Sequence, residues 1–260
     1  ENQWCGIAYS ASAGGIARGN TCNANRHTGI HLQGSAQPAL EKNTCRDNGW
    51  SGITYLGSSA GTARENTCEA NHQYGIYLQD SAQPTLENNI CLKNQWSGIA
   101  YFGKSGGMAR ATSCEANRQN GIYLQDSAKP RLENNICRLN KVDGIAYAGN
   151  SGGIARMNTC VNNGEDGIYV TGSAAPTITQ NLCEGNGHEG IHVAGGANPI
   201  LEGNQCLSNG RNGIAYRSWG AGGVARNNVC ERNGYNGIGI YLGNPQLEEN
   251  VCRYNRWFSI

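Results

Sequence analysis

Two Phe, two Met and six Pro are all that 260 residues contain of these types, and no apolar run reaches 18 residues. The missing run argues against a membrane-spanning helix. No amphipathic helical period lasts beyond a few residues, so a helical solenoid is not expected either. Hydrophobic residues make up only 38% of the chain. That is too few for one large globular core, whereas a stacked coil needs only a few apolar side chains per turn. Neither sign of charge dominates, because 20 Lys and Arg face 19 Asp and Glu, and no basic stripe is visible. Nucleic acid is therefore a poor partner. There is no N-x-[ST] glycosylation sequon.

What is abundant is repetition. The stretch GIYLQDSAQPTLENNIC at residues 75–91 returns as GIYLQDSAKPRLENNIC at 121–137, identical at 15 of 17 positions. Gly-Ile pairs start at Gly6, Gly29, Gly52, Gly75, Gly98, Gly121, Gly144, Gly167, Gly190 and Gly213, 23 residues apart, and then at Gly237 after 24. All but one of the units also carry N-x-C-x-x-N, as in Asn43, Cys45 and Asn48, and eleven cysteines from Cys22 to Cys252 share one column. Only Cys5 is out of phase. A period of this length running from end to end is the signature of a solenoid.

Within a unit, GIYL places Ile76 and Leu78 on one face and Tyr77 on the other, as a strand does. A bend rich in Gly, Ser and Pro follows, and LENNIC then turns Leu86 and Cys91 inward. Three short strands in 23 residues make one rung of a parallel β-helix, each strand bonded to its copy in the next rung. We therefore expect an all-β, single-stranded parallel β-helix of about eleven 23-residue rungs. Leucine-rich repeats lack support, since L-x-x-L-x-L is absent, and so is the Ca-binding G-G-x-G-x-D. The G-I-x-[YL], [LI], N-x-[CI]-x-x-N pattern resembles the right-handed parallel β-helix repeat of the pectate-lyase-like superfamily. The match is to its highly regular form in NosD-type and carbohydrate-binding-and-sugar-hydrolase domains and in F-box β-helices. The resemblance implies a right-handed coil. It also implies a function among polysaccharide lyases, hydrolases, epimerases or domains that only bind, with no catalytic motif matched residue by residue.

In-register stacking puts like residues about 4.8 Å apart. The Asn column from Asn2 and Asn25 to Asn233 and Asn255 is then expected to form an amide ladder. A second column alternates in charge as Arg18, Glu41, Arg64, Glu87, Arg110, Glu133 and Arg156, which favours pairing in register over a slip of one rung. Stacked cysteines point the same way and do not meet disulfide geometry, so we expect buried free thiols. Free thiols favour a reducing cytoplasm slightly and leave an extracellular or periplasmic setting open. Both ends of the sequence stop in mid-repeat. We expect one β-helix domain over residues 1–260, cut from a longer protein, with ends that pair with other domains or chains.

Two groups of residues suggest a site. Asp143, Asp166 and Glu189 occupy one position in three successive rungs. Such a column needs a cation, a basic neighbour or a raised pKa to relieve its repulsion, and a calcium ion is one candidate. With Tyr169, His192 and Arg217 nearby, it has the groups to move a proton on an acidic sugar. The second group is a ligand-binding face: His31, Tyr77, Tyr123, Tyr169 and His192 in one outward column, flanked by Gln79, Gln125, Asp80 and Asp126. Aromatic faces beside amides and carboxylates suit an extended polysaccharide. Trp4, Trp50 and Trp96 form another alternate-rung column nearby. HEGIH at 188–192 matches H-E-x-x-H but straddles a turn entering a strand, so His188 and His192 need not converge and no metal site is expected there. The phase breaks at YRSWGAGGVAR, where an extra residue enters and Trp219 appears.

The sequence leans towards a non-catalytic β-helix that presents a long face to a carbohydrate or protein partner, because its repeats are nearly identical and its loops short. The alternative is a polysaccharide-modifying enzyme, a lyase, hydrolase or epimerase, acting on an acidic glycan.

Overall fold

A computed structural model describes residues 2–257 of the protein. Each unit contributes three strands of three residues, for example Ile76–Leu78, Thr85–Glu87 and Ile90–Leu92. Every strand pairs in parallel with its counterparts one rung before and after, as Ile76 does with Ile53 and Ile99. Three sheets of 11 strands result. Among the described residues, no helix is long and apolar enough to cross a membrane.

The Gly of each Gly-Ile pair is demanded by close approach. A Cβ added to Gly98 would sit 2.7 Å from the carbonyl oxygen of Gly121 and 2.9 Å from the Cβ of Cys114. Backbone and core leave no room for it.

The interior explains why the units come in two versions. Where the first strand sends in a Tyr, the second sends in an Ala: Tyr55 with Ala63, Tyr101 with Ala109, Tyr147 with Ala155. Where the first strand sends in Leu, the second does too: Leu32 with Leu40, Leu78 with Leu86, Leu124 with Leu132. All of these are fully buried. Large with small and medium with medium fill the same cross-section, as close packing requires.

Two corners per rung use left-handed backbone, in most rungs at residues other than Gly, for example Asn88 and Lys93, each at φ 53. An Asn, or in one rung Thr112, follows each of these corners and secures it. The Asn25-to-Asn233 column forms the expected ladder: the Asn94 side chain donates to Asn117 Oδ1 and to Cys68 O, each at 3.0 Å. A second ladder, not expected from the sequence, runs parallel to it through Asn43, Asn66 and Asn89, with Asn43 Nδ2 2.9 Å from Asn66 Oδ1. Both satisfy backbone that the tight corners bury. Leu139, left-handed at φ 56 and 52% exposed, keeps the cost of that conformation and covers little. Leu139→Gly is therefore expected to raise stability by about 0.5 kcal/mol in urea melts.

The alternating stripe also forms. Arg18 meets Glu41 at 2.7 Å, and Glu87 holds Arg110 at 2.8 Å and Arg64 at 3.4 Å. Glu133 turns to Arg131 of its own strand instead. These pairs are largely exposed, each contributing about 0 to 1 kcal/mol. The column cysteines pair rung to rung, as Cys91 does with Cys68 and Cys114, and all are free thiols. Sulfur hydrogen bonds to Cys137 and Cys91, followed by burial, hold the Cys114 thiol above its ordinary range. In-register stacking by itself accounts for unpaired cysteines, so they say nothing about compartment.

Candidate functional site

The outer face of the first sheet carries three neighbouring columns, because alternate residues of a strand point outward and the chain stays in register. The corner column, just before each Gly-Ile, reads Thr28, Ser51, Tyr74, Ser97, Asn120, Asp143, Asp166, Glu189, Asn212 and Asn236. Beside it run the strand-centre residues, which include His31, Tyr77, Tyr123, Tyr169 and His192. The third column holds Gln33, Gln79, Phe102, Gln125 and Arg217.

The corner column is itself a ladder, and this explains how carboxylates come to be buried in it. Asp143 N donates to Asn120 Oδ1 at 3.0 Å, Asp166 N to Asp143 Oδ1 at 2.9 Å and Glu189 N to Asp166 Oδ1 at 2.8 Å. Each carboxylate oxygen takes the acceptor role that an Asn oxygen has elsewhere. The three acids are at most 4% exposed, and their repulsion is relieved in three different ways. Burial, then the neighbouring Asp166 charge, push the Asp143 carboxyl up to about 8. Asp166 holds the Nδ1 of His192 with its second oxygen at 2.9 Å. Glu189 pairs with the guanidinium of Arg217 at 2.5 Å and accepts from Asn212 at 3.1 Å.

Asp143 therefore favours its neutral form in the fold, where an unfolded Asp would ionise near its ordinary 3.8. The stability it supplies is complete below that value and is lost as pH rises through about 8. Asn already stands in this column at Asn120 and Asn212 and mimics the neutral acid. Asp143→Asn is expected to flatten the fall in stability between weakly acidic and alkaline pH, and to gain a few kcal/mol above the raised value. Urea melts across that range check it. An unaltered slope would mean that Asp143 is ionised in the fold.

Five of the six candidate catalytic residues thus come together. Asp166, His192, Tyr169, Glu189 and Arg217 form one cluster, with the Tyr169 and His192 rings 4.9 Å apart. Asp143 borders it through the Asp166 backbone. His192 lies in the outward column with its side chain 19% exposed, and its Nε2 is buried and has no partner among the described residues. The Arg217 side chain stays one-third exposed and packs over the Tyr241 ring at 4.9 Å. Sequence reading missed Asn212 and Tyr241. Asn212 lies in the same column as the acids and could have been found there, whereas Tyr241 belongs to the irregular last rung.

Three potential ligands come together, and His188 of HEGIH is not one of them. Asp166, Glu189 and His192 offer donor atoms within 4.8 Å of one another. Asp166 already accepts from His192 Nδ1 and Glu189 already pairs with Arg217, so a cation would have to displace these contacts. The bend around Trp219 absorbs the extra residue, and Trp219 is 84% exposed, outside the cluster.

The other candidate residues divide. His31, Tyr77 and Tyr123 lie on the outer face and bond to the Gln two positions on; Tyr123 Oη donates to Gln125 Oε1 at 2.6 Å, and Tyr77 likewise to Gln79. They also cover small neighbours, since Thr54, Ala100 and Ala146 are buried between them. Asp80 and Asp126 are exposed but occupied, each accepting from a glycine N–H one rung back, Gly57 and Gly103, at 3.0 Å.

The sequence matches the family described as right handed beta helix region over residues 1–115, 94–182 and 154–260. No curated protein matches it in sequence. Among solved structures it is similar to a double mutant of the periplasmic alginate epimerase AlgG. That match has a TM-score of 0.81 and 16% identity over 95% of this chain and 70% of that one. The unmutated AlgG gives 0.67 and 13% over 98% and 78%. The A-module of the Azotobacter vinelandii mannuronan C-5 epimerase AlgE4 gives 0.59 and 13% over 97% and 88%. At these identities the likeness is one of fold. With the family match spanning the whole repeat array, the chain belongs to the right-handed β-helix family.

Proposed function

We propose that this chain modifies an acidic polysaccharide by moving the proton next to a uronate carboxylate, with the cluster around His192 as its active site. The observation that carries this reading is the Asp166–His192 contact at 2.9 Å, set on an outward face beside Tyr169 and Arg217. A carboxylate on Nδ1 fixes the tautomer that leaves a lone pair on Nε2, and it stabilises the imidazolium that forms. Nε2 is covered in this structure, so the side chains around it must shift for a sugar to reach it. Glu189 orients Arg217, whose remaining exposure lets it meet a second carboxylate. Neutralising the uronate carboxylate acidifies the adjacent C–H, and the electron pair left behind spreads into that carboxylate. If Tyr169 returns a proton to the opposite face, the sugar is epimerised. If the pair instead expels the glycosidic oxygen, the chain is cleaved with a new double bond.

The names of AlgG and AlgE4 as alginate and mannuronan epimerases support this alternative over a purely binding role, towards which the sequence alone leaned. AlgG is named as periplasmic, which supports work on a glycan outside the cytoplasm. The test is incubation with uronate-rich and neutral polymers in deuterated water. Deuterium uptake beside the carboxylate, unsaturated uronate and new reducing ends are each followed. If no uronate polymer gives any of the three, the reading is wrong and the face serves binding alone.

A further inference from the structure

The geometry points to a second site on the same face: two adjoining aromatic grooves that bind neutral sugar rings of the polymer. One groove, about 430 Å³, is lined by Trp50, Tyr74, Tyr77, Trp96 and Phe102, and the next, about 450 Å³, by Trp4, His27, His31 and Trp50. They share His31 and Trp50 and so run into each other. The sequence reading had singled out Tyr77, His31 and the Trp column, but not Tyr74 or Phe102.

The rings are fixed in place by one another. Tyr74 stacks on Tyr77 with centroids 5.2 Å apart and meets Trp96 edge-on at 5.0 Å. His27 lies between Trp4 and Trp50 at 4.9 and 4.7 Å. Trp4, Trp50 and Trp96 nevertheless stay 72%, 49% and 40% exposed, a contiguous apolar surface that a folded chain ordinarily hides. A groove already ordered loses little entropy on binding.

The occupant follows from the lining. Flat aromatic faces match the C–H face of a pyranose, and the part-exposed amides of Gln73 and Gln79 in the same groove match its hydroxyl rim. Neither groove is lined by Lys, Arg, Asp or Glu. The carboxylates of Asp80 and Asp126 lie close enough to add to burial in pushing the Tyr77 phenol up. A uronate placed here meets no cation and two like charges, whereas Arg217 awaits it at the other end of the face. The columns run unbroken from Tyr77 to His192, five rung steps or about 24 Å. One extended chain can lie on both sites, with neutral residues on the grooves and a uronate at the cluster. This last step rests on the proposed function; the groove itself does not.

Tryptophan fluorescence and calorimetric titration of the full chain with a neutral hexasaccharide, an oligouronate and an aromatic-rich peptide test the inference. The neutral hexasaccharide should bind, the oligouronate should leave the groove tryptophans unperturbed, and Trp50→Ala or Phe102→Ala should weaken neutral binding about tenfold or more. Trp50→Phe should recover part of it, with urea melts showing every variant folded. Absence of neutral binding, equal binding by folded Trp50→Ala, or binding of the peptide alone overturns the inference. The two readings fail separately. Groove binding without proton exchange on any polymer sinks only the proposed function, and proton exchange without neutral binding sinks only the groove.

Discussion

Replacing Asp166 with Asn is expected to leave the fold intact and to lower turnover of a uronate polymer by about a hundred-fold or more. The fold survives because the column already accommodates Asn, at Asn120 and Asn212, and because an amide oxygen can still accept the Glu189 N–H that Asp166 Oδ1 accepts at 2.8 Å. Removing one of three stacked acids also relieves repulsion. Chemistry suffers because the atom facing His192 Nδ1 becomes an N–H donor. The imidazole must then present a lone pair at Nδ1 and carry its proton at Nε2, so the nitrogen without a partner can no longer act as a base. The loss should appear in kcat rather than KM, with urea melts unchanged. A variant that turns over normally would remove His192 and Asp166 from the mechanism.

Tyr101→Ala is expected to destabilise the protein by about 4 kcal/mol, while Tyr101→Phe leaves stability unchanged or slightly higher. Tyr101 is fully buried, and Ala109 is the small residue its ring complements in that rung. Truncation opens a cavity that neighbouring rungs, held by Asn ladders on two sides, cannot collapse to fill. The hydroxyl has no hydrogen-bond partner among the described residues, and burial together with the neighbouring thiols keeps its proton on. Deleting it therefore removes a desolvation cost and no bond. Chemical denaturation of both variants separates these effects. Equal losses would mean that the hydroxyl, and not the ring, matters.

The same Tyr–Ala and Leu–Leu alternation gives the two-rung period a core-packing reason that the charge stripe alone does not supply. Sliding one sheet past another by a single rung would set Tyr opposite Leu in one cross-section and Leu opposite Ala in the next, overfilling the first and emptying the second. The stripe adds only weak, exposed pairs, and one of its members, Glu133, turns aside to Arg131.

The sequence by itself determined the solenoid. A 23-residue phase kept over almost the whole chain forces each strand against its copy, so strand type, the Asn25 ladder, the thiol column and the charge stripe were all legible from spacing. It also named Asp166, Glu189, His192, Tyr169 and Arg217, because a column of like charges in a stacked fold needs relief. What spacing could not say is which relief each acid uses. That depends on side-chain reach across rungs: His192 and Arg217 come from different rungs and reach back to Asp166 and Glu189, leaving Asp143 to be neutral. Tyr74 and Phe102 stayed hidden for a related reason. Each is the lone aromatic among otherwise polar, small or aliphatic neighbours in its column around the groove, and the groove exists only where three columns meet. Periodicity reports what repeats along one column, and binding surfaces arise between columns, where only the coiled chain brings the residues together.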